Sequence, residues 1–151
     1  MNTIRHKGFT LVELLISVSI IAILIAIGIA SYSTINKQSR DTKRKSDIEQ
    51  VRSALEMYRA ENGFYPSAGS GSWVNASDAT LGLASYLSPT YISAIPKDTK
   101  NVSPYIYEYK ATGLSNGKYY GYCIGATLES SVPTTNTCTP DTGFNYGVKN
   151  P

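Results

Sequence analysis

The sequence predicts an α+β fold in which a long N-terminal helix, membrane-spanning in its first half, packs by its amphipathic second half against a small antiparallel β-sheet. Residues 9–30 form an apolar run whose only charge is Glu13, and residues 31–62 contain neither proline nor glycine. Alternation typical of strands begins only after Gly63. A chain of 151 residues has room for one small folded domain beside such a helix.

The apolar run is long enough to cross a bilayer. As a helix it extends about 33 Å, against a hydrocarbon core of about 30 Å. A secretory signal peptide, the competing interpretation, has a shorter apolar region followed by a small-residue cleavage site. Here the run continues into polar helical sequence. We therefore expect residues 9–30 to be a transmembrane segment and residues 31–62 its amphipathic continuation.

The amphipathic half carries one apolar stripe. At helical spacing, one face collects Ile48, Val51, Leu55 and Tyr58. Asn62-Gly63 predicts the end of the helix.

A basic cluster precedes this stripe on the same helix. It consists of Lys37, Arg40, Lys43, Arg44 and Lys45. We expect these basic side chains to form a solvated helix face, on which some of them pair with Asp41, Asp47 and Glu49. An electrostatic contact between copies of this chain and DNA binding are the alternatives.

Residues 63–151 form the predicted head domain. Asn116-Gly117 is a hairpin turn signal. Twelve tyrosines favour β-structure and a surface of aromatic rings with a polar end in water. The expected elements are a surface loop at 67–80, a short helix or turn at 81–87, strands at 105–110 and 118–128, and an edge strand near 144–148.

The two cysteines, Cys123 and Cys138, both lie in this head. If the head is exported, they form one disulfide that closes a small loop. Two unrelated buried thiols are the alternative.

The N-terminus carries a compound motif at residues 7–13, KGFTLVE. It resembles the class III signal of type IV pilins and type II secretion pseudopilins. The resemblance implies that residues 1–8 are a leader, that a membrane-embedded prepilin peptidase cuts between Gly8 and Phe9, and that the same enzyme methylates the new amine of Phe9. Glu13 is then the counter-charge of that amine, in its own chain or in a neighbouring subunit, and it sets the register of assembly.

The middle of the apolar helix departs from the family pattern. The family often has a proline there, whereas this chain has Gly28. Because glycine costs about 1 kcal/mol of helix propensity, Gly28 is the predicted weak point of the helix in a filament.

The head also bears family resemblances. SDIEQVRSALEMYRAENGFYPS and IPKD are similar to segments of major pseudopilins, whose C-terminal loops commonly bind calcium. Here the acids are widely spaced, so we expect no metal site: Asp98, Glu108, Glu129 and Asp141. The cysteine pair instead resembles the C-terminal disulfide loop of type IV pilins.

An enzyme is not expected. The only histidine, His6, lies in the leader, and no nucleophile with a base, metal-ligand spacing or phosphate-binding loop occurs. No catalytic residue and no cofactor are predicted. A net charge of +3, part of it in the leader, gives no reason for a nucleic acid partner except through DNA uptake.

The resulting prediction is a type IV prepilin. It is stored as a single-pass protein of the cytoplasmic membrane with its C-terminus outside, and it polymerises through its N-terminal helix into an extracellular helical homo-oligomer for motility, adhesion or DNA uptake. Its partners are the peptidase, a platform membrane protein and an assembly ATPase. The alternatives are a pseudopilin of a type II secretion or competence system, and a monomeric membrane-anchored binding domain.

Overall fold

The computed structural model describes residues 8–130, 138 and 144–150. The predictions on the leader before Gly8 and on Asp141 lie outside the described residues. The chain divides into two compact units, residues 1–37 and residues 38–151.

Helix α1, Leu11–Asn62, begins in the first unit and ends in the second. In the first unit the large aliphatic side chains of α1 are exposed, and the most apolar part of the helix is not buried. By length and composition α1 is suited to cross a membrane.

In the second unit, α1 buries the predicted apolar stripe. Ile48, Val51 and Leu55 have no exposed surface, and Tyr58 packs half-buried beside them. The helix ends at Asn62, because Gly63 adopts a φ of +81° and its N–H donates to the Arg59 carbonyl oxygen at 2.7 Å. A left-handed residue directly after the last turn is a common helix cap.

The head contains one four-stranded antiparallel sheet with its strands in chain order. Its strands are β1 (Val74–Asn75), β2 (Glu108–Ser115), β3 (Lys118–Ala126) and β4 (Tyr146–Lys149). A 3-10 turn, Ala68–Gly71, precedes β1, and a short helix α2, Ala84–Leu87, follows it. The predicted α+β architecture is confirmed.

The β2–β3 hairpin turns at Asn116-Gly117, as predicted. Ser115 pairs with Lys118 across a two-residue loop whose φ angles are +49° and +73°. Positive φ at both positions defines a type I′ turn, which matches the twist of the flanking strands.

Several strand predictions need correction. The alternation at 105–110 predicts a strand from Tyr105, but β2 begins at Glu108, and Tyr105 forms only an isolated bridge with Val102. Likewise, β3 ends at Ala126, two residues before its predicted end. Strand β1 lies inside the stretch 67–80, for which the sequence predicts a loop.

The tyrosines are not only a surface feature. Tyr65, Tyr109 and Tyr122 are almost completely buried, and each hydroxyl has a partner. The Tyr109 hydroxyl donates to the Pro66 carbonyl at 2.9 Å, and the Tyr65 hydroxyl donates to Glu56 at 3.0 Å. These bonds remove the cost of burying a phenol without a partner, so the rings build the core between α1 and the sheet.

Candidate functional site

The predicted cleavage position lies just before α1. Gly8 and Phe9 are exposed, Phe9 at 83%, and no atom of the described residues lies within 4 Å of the place a Cβ on Gly8 would take. Such a peptide bond is open to a protease. Cleavage between these residues and methylation of Phe9 stay predictions.

Glu13 caps the first turn of α1. The Thr10 backbone N–H and hydroxyl donate to Glu13 Oε2 at 2.9 and 2.6 Å, and the Glu13 N–H donates to Thr10 Oγ1 at 3.3 Å. This reciprocal arrangement is a capping box. The spacing Thr-x-x-Glu is the signal that would have revealed it. The predicted pairing of Glu13 with a Phe9 amine concerns the cut chain and stays a prediction.

Gly28 lies within the continuous helix α1, and among the residues that the structure describes none has an atom within 4 Å of the place a Cβ on Gly28 would take. Its role as a weak point concerns a filament and also stays a prediction.

Cys123 and Cys138 form a disulfide with a Cα–Cα distance of 5.9 Å. The bond lies in a small apolar cluster with Phe144 and Trp73, whose rings meet edge to face at 4.8 Å. Two separate thiols are therefore excluded. Closing a loop of about 15 residues is worth about 3 kcal/mol in the chain-entropy model.

The largest departure from expectation is a buried ion cluster. The Arg44 cluster consists of Arg40, Asp41, Arg44, Asp98 and Glu129. Arg44 has no exposed surface. Its guanidinium donates to both carboxylate oxygens of Asp98 and to Asp41 Oδ1 at 2.7 Å, and it lies 2.9 Å from Glu129 Oε1.

Hydrogen bonds of Glu129, which follows β3, and of Asp41, which lies on α1, connect these two parts of the chain. Glu129 accepts two parallel bonds from Arg40, both at 2.7 Å, and its carboxylate also lies 3.0 Å from Lys100 Nζ. In the other direction, the backbone N–H groups of Glu129 and Ser130 donate to Asp41 at 2.9 Å each. Paired, bidentate contacts of this kind are stronger than simple surface ion pairs.

The electrostatics follow from these contacts. Hydrogen bonds from Arg40, Lys100 and Arg44 outweigh burial and hold the pKa of Glu129 well below its usual range. Burial opposes the ionisation of Asp98 and Asp41, but the bonds they accept lower both pKa values. Burial alone would lower the pKa of Arg44, yet its three carboxylate partners raise it. The cluster is therefore fully ionised at neutral pH.

The expectation of a solvated basic face was wrong for Arg44, although Lys43 fits it, since it is exposed and lies 3.5 Å from Asp47. Position 44 lies four residues before Ile48 and so extends the buried stripe by one turn, a signal that could have been read from the spacing. Asp98 and Glu129 are distant from each other in the sequence, and both contact the side chain of Arg44. Among residues 8–130, 138 and 144–150, no group of acids, histidines and cysteines is suited to hold a metal.

Two separate stretches of the chain match known protein families. Residues 4–29 match the prokaryotic N-terminal methylation motif. Residues 32–131 match the model of type II secretion system (T2SS) protein G. No solved structure gives a significant match.

Two relatives agree with the second match, and a third is a pilus component. The type II secretion system core protein G of Pseudomonas aeruginosa is 30% identical over 128 residues, covering 83% of this chain and 87% of the relative. The Aeromonas hydrophila core protein G is 31% identical over 100 residues, or 65% and 70% of the two chains. The type IV wide pilus major component PilA4 of Thermus thermophilus is 41% identical over 61 residues, covering 40% of this chain and 47% of the relative. The chain thus belongs to the type II secretion system protein G family, within the wider group of type IV pilins and pseudopilins.

Proposed function

We propose that this chain is the pseudopilin subunit of a type II secretion system, a structural protein that polymerises into a short filament. The observation that carries the proposal is the protein G match across residues 32–131, which covers most of the head as well as the amphipathic helix. Of the functions expected from the sequence, the pseudopilin alternative therefore has more support than the type IV pilus.

The N-terminal segment supplies the assembly chemistry. A prepilin peptidase removes the leader after Gly8 and methylates Phe9. The cationic amine of Phe9 then takes the Glu13 carboxylate of its own or a neighbouring chain as counter-charge. A carboxylate in hydrocarbon costs about 2.5–3.5 kcal/mol, so pairing favours the move from lipid into the filament.

Helix α1 acts as the anchor before assembly and as the filament core afterwards. Its exposed aliphatic side chains in the first unit need either lipid or copies of the same helix around them. A platform membrane protein and an assembly ATPase supply the insertion step, since nothing in the described residues resembles a nucleotide site. The chain itself performs no catalysis in this scheme.

A type IV pilus subunit is the second candidate. It is favoured by the identity of 41% with the Thermus thermophilus pilus component, although that match spans only 61 residues. In that case the filament is long, extends from the cell surface and serves motility, adhesion or DNA uptake.

Deletion of this chain in its host separates the two candidates. For a pseudopilin we expect secreted enzymes to be retained in the cell, restored by the wild-type chain and not by a Gly8→Val variant that blocks cleavage. Normal secretion with loss of long sheared filaments would favour the pilus instead.

The mass of the N-terminus tests the processing step. We expect the wild-type chain to begin at Phe9 and to carry one added methyl group. A chain that keeps its leader through Gly8 would contradict both filament proposals and support a monomeric membrane-anchored domain.

A further inference from the structure

The sequence contains the dipeptide Asn-Gly twice, at Asn62-Gly63 and at Asn116-Gly117. In this dipeptide the asparagine side chain is attacked readily by the next backbone nitrogen, because glycine has no Cβ to hinder the approach. Both asparagines and both glycines are exposed to solvent. Exposure therefore does not distinguish the two sites, whereas their hydrogen bonds do.

Both reacting groups of Asn62-Gly63 are held at the end of helix α1. The Asn62 side-chain amide donates to the Tyr58 carbonyl oxygen at 2.9 Å and to the Tyr91 hydroxyl at 3.3 Å. The Gly63 N–H donates to the Arg59 carbonyl oxygen at 2.7 Å. Attack at this site therefore requires the last turn of α1 to open and these bonds to break.

The tip of the β2–β3 hairpin restrains neither reacting group. Neither the Asn116 side chain nor the Gly117 N–H has a hydrogen-bond partner among the residues that the structure describes. No atom of those residues lies within 4 Å of the place a Cβ on Gly117 would take. Residues 113–118 are all exposed, so the backbone of the tip can change its angles without uncovering the core.

We infer that Asn116 is a site of spontaneous deamidation and that the end of α1 protects Asn62 from the same reaction. The Gly117 backbone nitrogen loses its proton to hydroxide and forms a bond to Cγ of Asn116. The Cγ–Nδ2 bond then breaks, Nδ2 takes a proton from water and leaves as ammonia, and a five-membered succinimide remains. Water opens this ring at either carbonyl, which gives aspartate or isoaspartate. The reaction needs only the head and therefore does not depend on the proposed function.

Deamidation changes both the charge and the length of the turn. Either product places a carboxylate two residues before Lys118, whose ammonium lies 4.7 Å from the ring centre of Phe64. In isoaspartate the main chain runs through the former side chain, so the turn gains one backbone carbon. A two-residue type I′ loop matches the twist of its strands, so we expect the pairing of Ser115 with Lys118 to weaken first.

Ageing of the full chain in detergent at mildly alkaline pH tests the inference. Cleavage after lysine and arginine places Asn116 in peptide 111–118 and Asn62 in peptide 60–97, so mass spectrometry with fragmentation measures each conversion. Ageing in heavy-oxygen water and digestion in ordinary water mark the conversion that precedes digestion. In the folded chain we expect Asn116 to convert at least tenfold faster than Asn62. In concentrated urea the two rates should agree within threefold, because the fold no longer separates them.

Two variants connect the product to its site. Asn116→Gly keeps the turn, since Gly-Gly also adopts type I′ geometry, and it removes the reacting amide. After ageing, this variant should accept at least fivefold fewer methyl groups from a purified isoaspartyl methyltransferase than the wild-type chain does. The matched control is Asn62→Ala, which removes the protected amide and should leave methyl acceptance within twofold of the wild-type value.

Several results would overturn the inference. Rates less than tenfold apart in the folded chain would show that the end of α1 does not protect Asn62. A difference that persists in urea would assign it to the sequence instead of the fold. Conversion of Asn116 in urea but not in the folded chain would show that the turn itself blocks the attack. Unchanged methyl acceptance in Asn116→Gly would place the product elsewhere in the chain.

Discussion

Arg44 and Asp98, separated by 54 residues in the chain, form a buried two-point ion pair that joins helix α1 to the loop before β2. The guanidinium of Arg44 also lies 4.8 Å from the ring centre of Tyr105. Because both charges are removed from water, the pair is stable only with its full set of partners. The Arg44 cluster therefore fixes how the loops of the head lie on the helix.

Removal of Arg44 should destabilise the head strongly. Arg44→Gln leaves the carboxylates of Asp41 and Asp98 buried without their cation, for which we expect a loss of about 3–5 kcal/mol in the free energy of unfolding. Urea unfolding of the full chain in detergent, followed by the fluorescence of Trp73, measures it. Arg52→Gln is the control: its pair with Glu49 is exposed, so the loss should stay below about 1 kcal/mol. Equal losses in the two variants would contradict the conclusion that the buried contacts of Arg44 stabilise the head more than an exposed ion pair does.

The head should be sensitive to acid. The pKa values of Asp41, Asp98 and Glu129 are all lowered in the folded chain, so below about pH 4.5 the unfolded chain binds more protons than the folded one. The stability they contribute is complete above that pH and is lost as the pH falls through their folded values. Melting temperatures from about pH 7 to pH 3 should therefore decline on the acid side, and less steeply in Glu129→Gln. An identical decline in both proteins would show that Glu129 does not contribute to the loss of stability in acid.

Features set by neighbouring residues could be predicted from the sequence. The Asn116-Gly117 turn needs positive φ at two adjacent positions, which this dipeptide adopts readily. The end of α1 at Asn62 follows from Gly63 in the same way. The buried face of α1 follows from the spacing of Ile48 and Val51.

Features set by distant residues could not be predicted in this way. In the sequence Arg44 is one of several charges on a polar helix, because its partners Asp98 and Glu129 are remote in the chain and only the fold brings them to it. Strand β1 has two residues, too few for any periodicity, and exists because β2 offers it an edge. The alternation that begins at Tyr105 suggests a longer strand than the one observed. Instead, the Tyr107 hydroxyl donates a hydrogen bond to the distant Asp47 at 2.7 Å, a contact that the alternation does not reveal.

Chelation should not affect the head. The carboxylates of Asp98 and Glu129 are already satisfied by Arg44, so no divalent cation is needed to bring these loops together. We expect the melting temperature of the full chain to be the same in calcium and in excess EGTA. A fall in the chelator would contradict the prediction that the protein has no metal site.

A methyl group at Gly125 should displace Phe144. The added Cβ of Gly125→Ala would lie 2.4 Å from the ring, so the ring must move and the head should lose about 1–3 kcal/mol. Trp73, the only tryptophan in the chain, packs on this ring and reports the change as a shift of its emission. Unchanged emission and stability would show that the ring is not held there.

Two substitutions at Glu13 distinguish helix capping from charge pairing. Glu13→Gln keeps an acceptor for the Thr10 N–H and hydroxyl, since glutamine also completes a capping box, but it removes the counter-charge for the Phe9 amine. Glu13→Ala removes both functions. If the charge sets assembly, we expect both variants to be cleaved after Gly8 and neither to form filaments, measured by N-terminal mass and by electron microscopy of sheared material from cells that overproduce the chain. Filaments from Glu13→Gln but not from Glu13→Ala would instead assign the role of Glu13 to capping, and filaments from both would remove it from assembly.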